Sequence, residues 1–207
     1  TIVSNPLSAD YAYLFTAGDQ YFVGINKNAP AYDLDVRGSV LFGTLSNIYY
    51  RFWFNELREG TLIGTTDATR PTAWSEDSIG QYSFSSGLNN MAASAYSSVF
   101  GRQNTAKLGS SIFIGGQYNT VTGGAGIALG SSNTVSNAYS MALGSLNNIT
   151  ASRAATLGTG LQANAYSEVV LGKYNELIGA SPSADVATDP ILEVGIGTST
   201  TPLNAMT

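Results

Sequence analysis

The 207-residue sequence contains no cysteine and no histidine. Their absence removes disulfides, zinc and haem ligation by these side chains, thiol nucleophiles and every triad in which imidazole is the base. Charge is scarce as well, because Asp, Glu, Lys and Arg make up only 11% of the chain where an ordinary soluble domain carries about 25%. A net charge of −5 and a pI near 4.5 argue against a nucleic-acid partner. No apolar run reaches the roughly 18 residues that a membrane-spanning helix requires. The chain opens on Thr1-Ile2-Val3 with neither a Met nor a charged-then-apolar leader, which reads as a stretch of something longer.

What fills the space is glycine, 23 residues of it, together with Ser, Thr, Asn and Ala. The glycines are periodic. Gly87, Gly101, Gly116, Gly130, Gly144, Gly158 and Gly172 are spaced 14, 15, 14, 14, 14 and 14 residues apart. Three residues after most of them stands an asparagine, namely Asn90, Asn104, Asn119, Asn133, Asn147 and Asn175, with Leu161 the exception. Five residues after each glycine the side chain is apolar: Ala92, Ala106, Val121, Val135, Ile149, Ala163 and Leu177. The residue just before the glycine is apolar in most units (Phe100, Leu129, Leu143, Leu157, Leu171), with Ser86 and Gly115 departing.

A fixed period of this kind is the signature of a solenoid. At roughly 3.3 Å per residue, one such unit makes two short strands and two tight turns. Gly and Asn reach positive φ most cheaply, so their fixed offsets predict a turn at the same place on every coil. Helix loses, since each misplaced Gly would cost about 0.5–1 kcal/mol relative to Ala. The expected fold is therefore all-β: a parallel β-roll of about seven 14-residue coils over residues 80–180. A coil this narrow encloses an interior about one side chain wide. At about 25 cal/mol per Å2 that burial falls short of an ordering entropy of about 1–2 kcal/mol per residue, so the outer apolar positions call for identical partner chains.

The unit Ser111-Ile112-Phe113-Ile114-Gly115-Gly116-Gln117-Tyr118-Asn119-Thr120-Val121-Thr122-Gly123, and likewise Ser140-Met141-Ala142-Leu143-Gly144-Ser145-Leu146-Asn147-Asn148-Ile149, resembles the head repeats of trimeric autotransporter adhesins. Similar repeats occur in phage tail fibres. The resemblance implies a left-handed parallel β-roll, an obligate homotrimer and a role in adhesion on a surface fibre. A second resemblance lies in the flanks. Val23-Gly24-Ile25 through Pro30 to Leu34-Asp35-Val36-Arg37-Gly38 is similar to a segment of tail-fibre and bacterial surface-fibre proteins, and Val194-Gly195-Ile196 through Pro202 restarts the phrase. This implies a serial, multi-module fibre or a subunit that docks head to tail, placed outside a cell or on a virion.

Four regions follow from composition. Residues 1–45 read as a β-rich connector with turns at Asn26-Lys27-Asn28 and Arg37-Gly38, and 46–79 as an aromatic-rich cap or insert. Residues 80–180 are the repeats, and 181–207 a polar linker plus the start of another module. In the second region Tyr49-Tyr50-Arg51-Phe52-Trp53-Phe54 and Thr61-Leu62-Ile63 flank a polar turn and read as two strands. Tyr50, Phe52 and Trp53 either plug the end of the roll or offer stacking platforms to a sugar, and the need to cap the first coil favours the plug. Trp74, with Glu76 and Asp77, reads as packing at the junction of cap and roll. Tyr96, Tyr139 and Tyr166 fall eight or nine residues after their glycines and form either a seam between subunits or a receptor-facing ladder.

No cofactor and no metal are expected. Asp33 and Asp35 flank a Leu on a strand and lack the further oxygen ligands that calcium takes. Enzyme chemistry is not expected either. The one alternative is a tailspike-like module that cleaves a glycan with paired carboxylates, for which Glu168 and Glu176 are the only acids in the repeats. The favoured reading is a non-enzymatic structural and adhesive section of a homotrimeric fibre, presenting a weakly charged Ser/Asn/Thr surface to glycans or surface proteins.

Overall fold

A computed structural model describes residues 51–67, 69–70, 72–73 and 75–206, together with four strand segments nearer the N-terminus, 12–17, 20–25, 34–36 and 40–42. Tyr50, Asp33 and Trp74 lie outside the described residues. Among the N-terminal segments, Ala12–Ala17 pairs antiparallel with Gln20–Ile25, which pairs parallel with Leu34–Val36, the strand that carries Asp35.

The rest is a parallel β-solenoid. Each coil has a five-residue strand, a tight corner, a two-residue strand and a second corner. Seven long strands run from Phe84–Leu88 to Val169–Lys173 and are joined in parallel register, glycine opposite glycine. They belong to one 12-stranded sheet, and the short strands, from Met91–Ala92 to Gln162–Ala163, form a second sheet of six. The sheet does not stop at the repeats. The antiparallel strands Val40–Phe42, Arg51–Asn55 and Gly60–Thr65 open it, with Gly64 paired to Gly87. Leu192–Ile196 continues it in parallel, with Gly195 paired to Gly172, and Asn204–Met206 closes it antiparallel. One sheet thus crosses the expected boundaries at residues 45, 79 and 180. Val194-Gly195-Ile196, expected to begin another module, is the solenoid's next rung.

The glycine column has a different cause from the turn expected of it. From Gly87 to Gly172 each glycine is the fourth residue of its long strand rather than part of the corner, and from Gly64 to Gly172 the φ angles of the column lie between 96° and 148°. That region is essentially closed to residues with a Cβ. A Cβ built at Gly130 would lie 1.9 Å from the carbonyl oxygen of Gly144, and the same contact recurs down the column. Close approach between successive coils therefore excludes every other residue. The left-handed turn conformation falls two residues later, mostly on non-glycines such as Gln103, Tyr118, Ser132 and Leu146.

The asparagines hold that corner. Asn133 is fully buried. Its Nδ2 donates to the carbonyl of Gly144 at 2.9 Å, and its Oδ1 accepts the backbone N–H of Asn147 at 3.1 Å. Asn90, Asn104, Asn119 and Asn147 repeat the pattern, each bonding backward within its coil and forward to the next. Corner carbonyls and amides that would otherwise be buried without partners are satisfied at each step.

The core is a single file. The second residue of each long strand points inward (Val99, Ile114, Ala128, Ala142, Thr156, Val170) and meets the apolar residue of the short strand (Ala106, Val121, Val135, Ile149, Ala163). Most coils combine one larger with one small side chain, Ala128 with Val135 and Ala142 with Ile149, so the diameter stays constant. Leu177, the seventh member of the expected apolar series, is instead 49% exposed because the chain leaves the coil after Lys173. The one 15-residue unit places its extra residue at the second corner, where Leu108 takes a φ of 72° and stays exposed.

Candidate functional surfaces

In a strand that pleats with period two, inward residues at the second position force the first and third outward. These outward positions carry large apolar side chains. Phe84, Phe100 and Phe113 form a chain of tilted rings with centroids 5.4 and 5.9 Å apart. Leu129, Leu157 and Val169 extend the column with exposures of 37%, 56% and 39%. Gly115, which departs from the apolar rule, lies under Leu129: a Cβ there would sit 3.0 Å from that leucine's Cδ2. Toward the other end Ile63, Phe52 and Phe54 carry the same face across the hairpin. Exposed apolar side chains in one unbroken column are unusual on a solitary soluble protein.

The aromatic run therefore divides. Phe52 and Phe54 point outward, whereas Trp53 is buried with Leu62, Ala73 and Ile79 in a small cluster distinct from the main core. Ile79 pairs with Ala92, the first short strand, so this cluster sits at the end of the roll. Arg70 binds it down. Its guanidinium donates to the carbonyl of Asn89 at 3.1 Å and to Thr105 Oγ1 at 2.7 Å, and burial lowers its pKa. Nothing in the sequence singled out Arg70, which lies in an irregular stretch.

Beside the apolar column runs a polar one. Gly101, Gly116, Gly130 and Gly144 floor a shallow groove of about 570 Å3 walled by Arg102, Gln117, Ser131 and Ser145. A second depression of about 530 Å3 lies near the C-terminus against Ile178, Asp189, Pro190, Leu192 and Met206.

The tyrosines occupy the second corner. Tyr96 and Tyr139 take the same left-handed position on their coils and are 60% and 69% exposed. Tyr166 does not share it, because Ser167 holds that place. Tyr166 instead lies under the guanidinium of Arg153, 5.3 Å from the ring centre. The member that sequence reasoning missed is Tyr82, stacked on Tyr96 at 5.2 Å. It stands 14 residues before Tyr96, so the period carried back one unit would have found it. A hydrogen bond to Glu59 raises its phenol pKa.

The acids do not assemble as a glycan-cleaving pair would. Glu168 is completely buried while Glu176 is exposed, so the two do not face one accessible cleft. Asp77 is exposed on the short helical turn Glu76–Ser78. Among the described residues no three His, Cys, Asp or Glu side chains come together as a metal site, and no helix is long and apolar enough to cross a membrane.

No family model, curated protein or solved structure matches the chain.

Proposed function

We propose that the chain is a structural and adhesive section of a homotrimeric fibre, displayed on a cell surface or on a virion. The observation that carries this reading is the outward apolar column from Phe54 to Val169, which runs along the solenoid with its large side chains exposed among the described residues. Covering the column with the same face of identical chains removes that surface from water at about 25 cal/mol per Å2, and the resemblance to trimeric adhesin heads sets the copy number at three. Parallel ladders along the axis make the rod stiff. The polar flank of Arg102, Gln117, Ser131 and Ser145, together with the Tyr96 and Tyr139 corner, stays available to glycans or proteins. Three copies of a weak site then bind by avidity.

The reading excludes catalysis. Incubated with surface polysaccharide from a host cell, the protein is expected to retain the polymer on a column or sensor and to leave its chain length unchanged. Release of oligosaccharides would overturn the structural reading in favour of a glycan-cleaving module.

A further inference from the structure

The C-terminal end of the solenoid contains two carboxyl groups where the rest of the described core is neutral. Glu168 lies at the corner before Val169–Lys173, and Glu193 enters from Leu192–Ile196, whose register sets it beside Val170 on the inward column. Both side chains are 0% exposed. Each has one oxygen anchored. Glu168 Oε2 accepts the backbone N–H groups of Asn164 and Ala165, both at 2.9 Å, and Glu193 Oε2 accepts from Asn175 Nδ2. The second oxygen of each, Oε1, is buried without a hydrogen-bond partner, and the register that pairs Glu193 with Val170 brings the two carboxyl groups to the same end of the core.

Two carboxylates buried at one end of a core cannot both be ionised without a large cost. Asn175, Asn164 and Asn204 on the neighbouring segments are neutral amides. Glu176 adds negative potential at Glu193, and the nearest cation to the Glu168 corner is Arg153, exposed and over the ring of Tyr166; Lys173, Asp185 and Asp189 are the other charged residues of these segments. Lys173 and Asp185 are exposed, while Asp189 accepts the backbone N–H of Ser181. No cation is among the groups that act most strongly on the pair.

We propose that Glu168 and Glu193 share a proton and form a latch that holds the C-terminal strand on the solenoid in acid and loosens it above neutral pH. Burial is the leading cause acting on both groups, pushing Glu168 up to about 7 and Glu193 in the same direction. A carboxyl whose folded pKa lies above its unfolded value binds a proton in the folded state that the unfolded state has released. Its stabilising contribution is therefore complete below about pH 4.5 and lost as pH rises toward 7. Loosening would uncover the edge of Val169–Lys173, the kind of unpaired edge to which another strand adds. The latch stands independently of the trimeric-fibre reading.

Amide hydrogen exchange of the full chain at pH 5 and pH 8, corrected for intrinsic rates, tests it. Protection of Leu192–Ile196 is expected to fall at pH 8 by about tenfold or more, the equivalent of one pKa unit of linkage, while protection of Met141–Ser145 stays constant. Glu193→Gln, and separately Glu168→Gln, are expected to shrink the difference between the two pH values. Equal protection of Leu192–Ile196 at both pH values would overturn the proposal. So would an undiminished fall in both variants, or recovery of wild-type protection at pH 8 on adding calcium, which would assign the pair to a bound cation.

Discussion

Between Asn90 and Asn147 every coil passes the same amide contact to its successor, whereas from Leu161 onward the solenoid is held by other means. Leu161 is fully buried and supplies no side-chain donor or acceptor, so the ladder ends there. Asn175 then turns its amide back on the edge of the short-strand sheet. Its Oδ1 accepts the backbone N–H of Gln162 at 2.8 Å, and its Nδ2 donates to the Gln162 carbonyl at 2.9 Å. The same fold is thus sustained by two chemistries. The middle uses neutral amides that do not titrate, while the C-terminal turn uses two carboxyls that do. Regularity of backbone therefore does not imply uniform response to conditions.

Substitutions can break this contrast at chosen places, each read as a change in urea midpoint at one fixed protein concentration. The largest effect is expected for Gly130→Ala. Its φ of 119° and the Gly144 carbonyl 1.9 Å from the new Cβ combine backbone strain with overpacking, for a loss of about 4 kcal/mol or more. Gly179→Ala, outside the column and with nothing within 4 Å, is expected to stay within about 0.5 kcal/mol of the parent. Equal effects at the two sites would remove close coil approach as the reason for the column.

Asn133→Ala comes next. It leaves the Asn147 N–H and the Gly144 carbonyl without the partners now at 3.1 and 2.9 Å, a loss of about 3 kcal/mol. Asn175→Ala removes contacts at the end of the solenoid and is expected to cost less. The smallest effect has the opposite sign. Thr156 stands in the core file with its Oγ1 buried and unpartnered, so Thr156→Val is expected to stabilise by about 1 kcal/mol. A loss would mean that the hydroxyl has a role in the coil.

These contrasts also mark how far the sequence could be read. The period, the parallel coils and the inward apolar series follow from spacing alone, because each coil must repeat the same contacts. What the glycines are for did not follow. Preference for positive φ suggests a turn, and only the distance between successive strands reveals that a Cβ has no room. The corner residues with positive φ were hidden for the related reason that Tyr118 or Leu146 is held there by its neighbours rather than by its own preference. Gly64 and Gly195 escaped notice since each lies 23 residues from the next member of the column, across a loop that breaks the count. Glu193 was invisible as the partner of Glu168 because that loop separates them. Among the aromatics, the alternation of Phe52, Trp53 and Phe54 was readable in principle from strand pleating, but which face is covered depends on the coil beneath.

The central claim is that the outward apolar column is an interface between identical chains, and the mass of this 207-residue chain in native solution tests it most directly. The account predicts a particle three times the chain's 21.6 kDa. A stable particle of one chain's mass at micromolar concentration would contradict it.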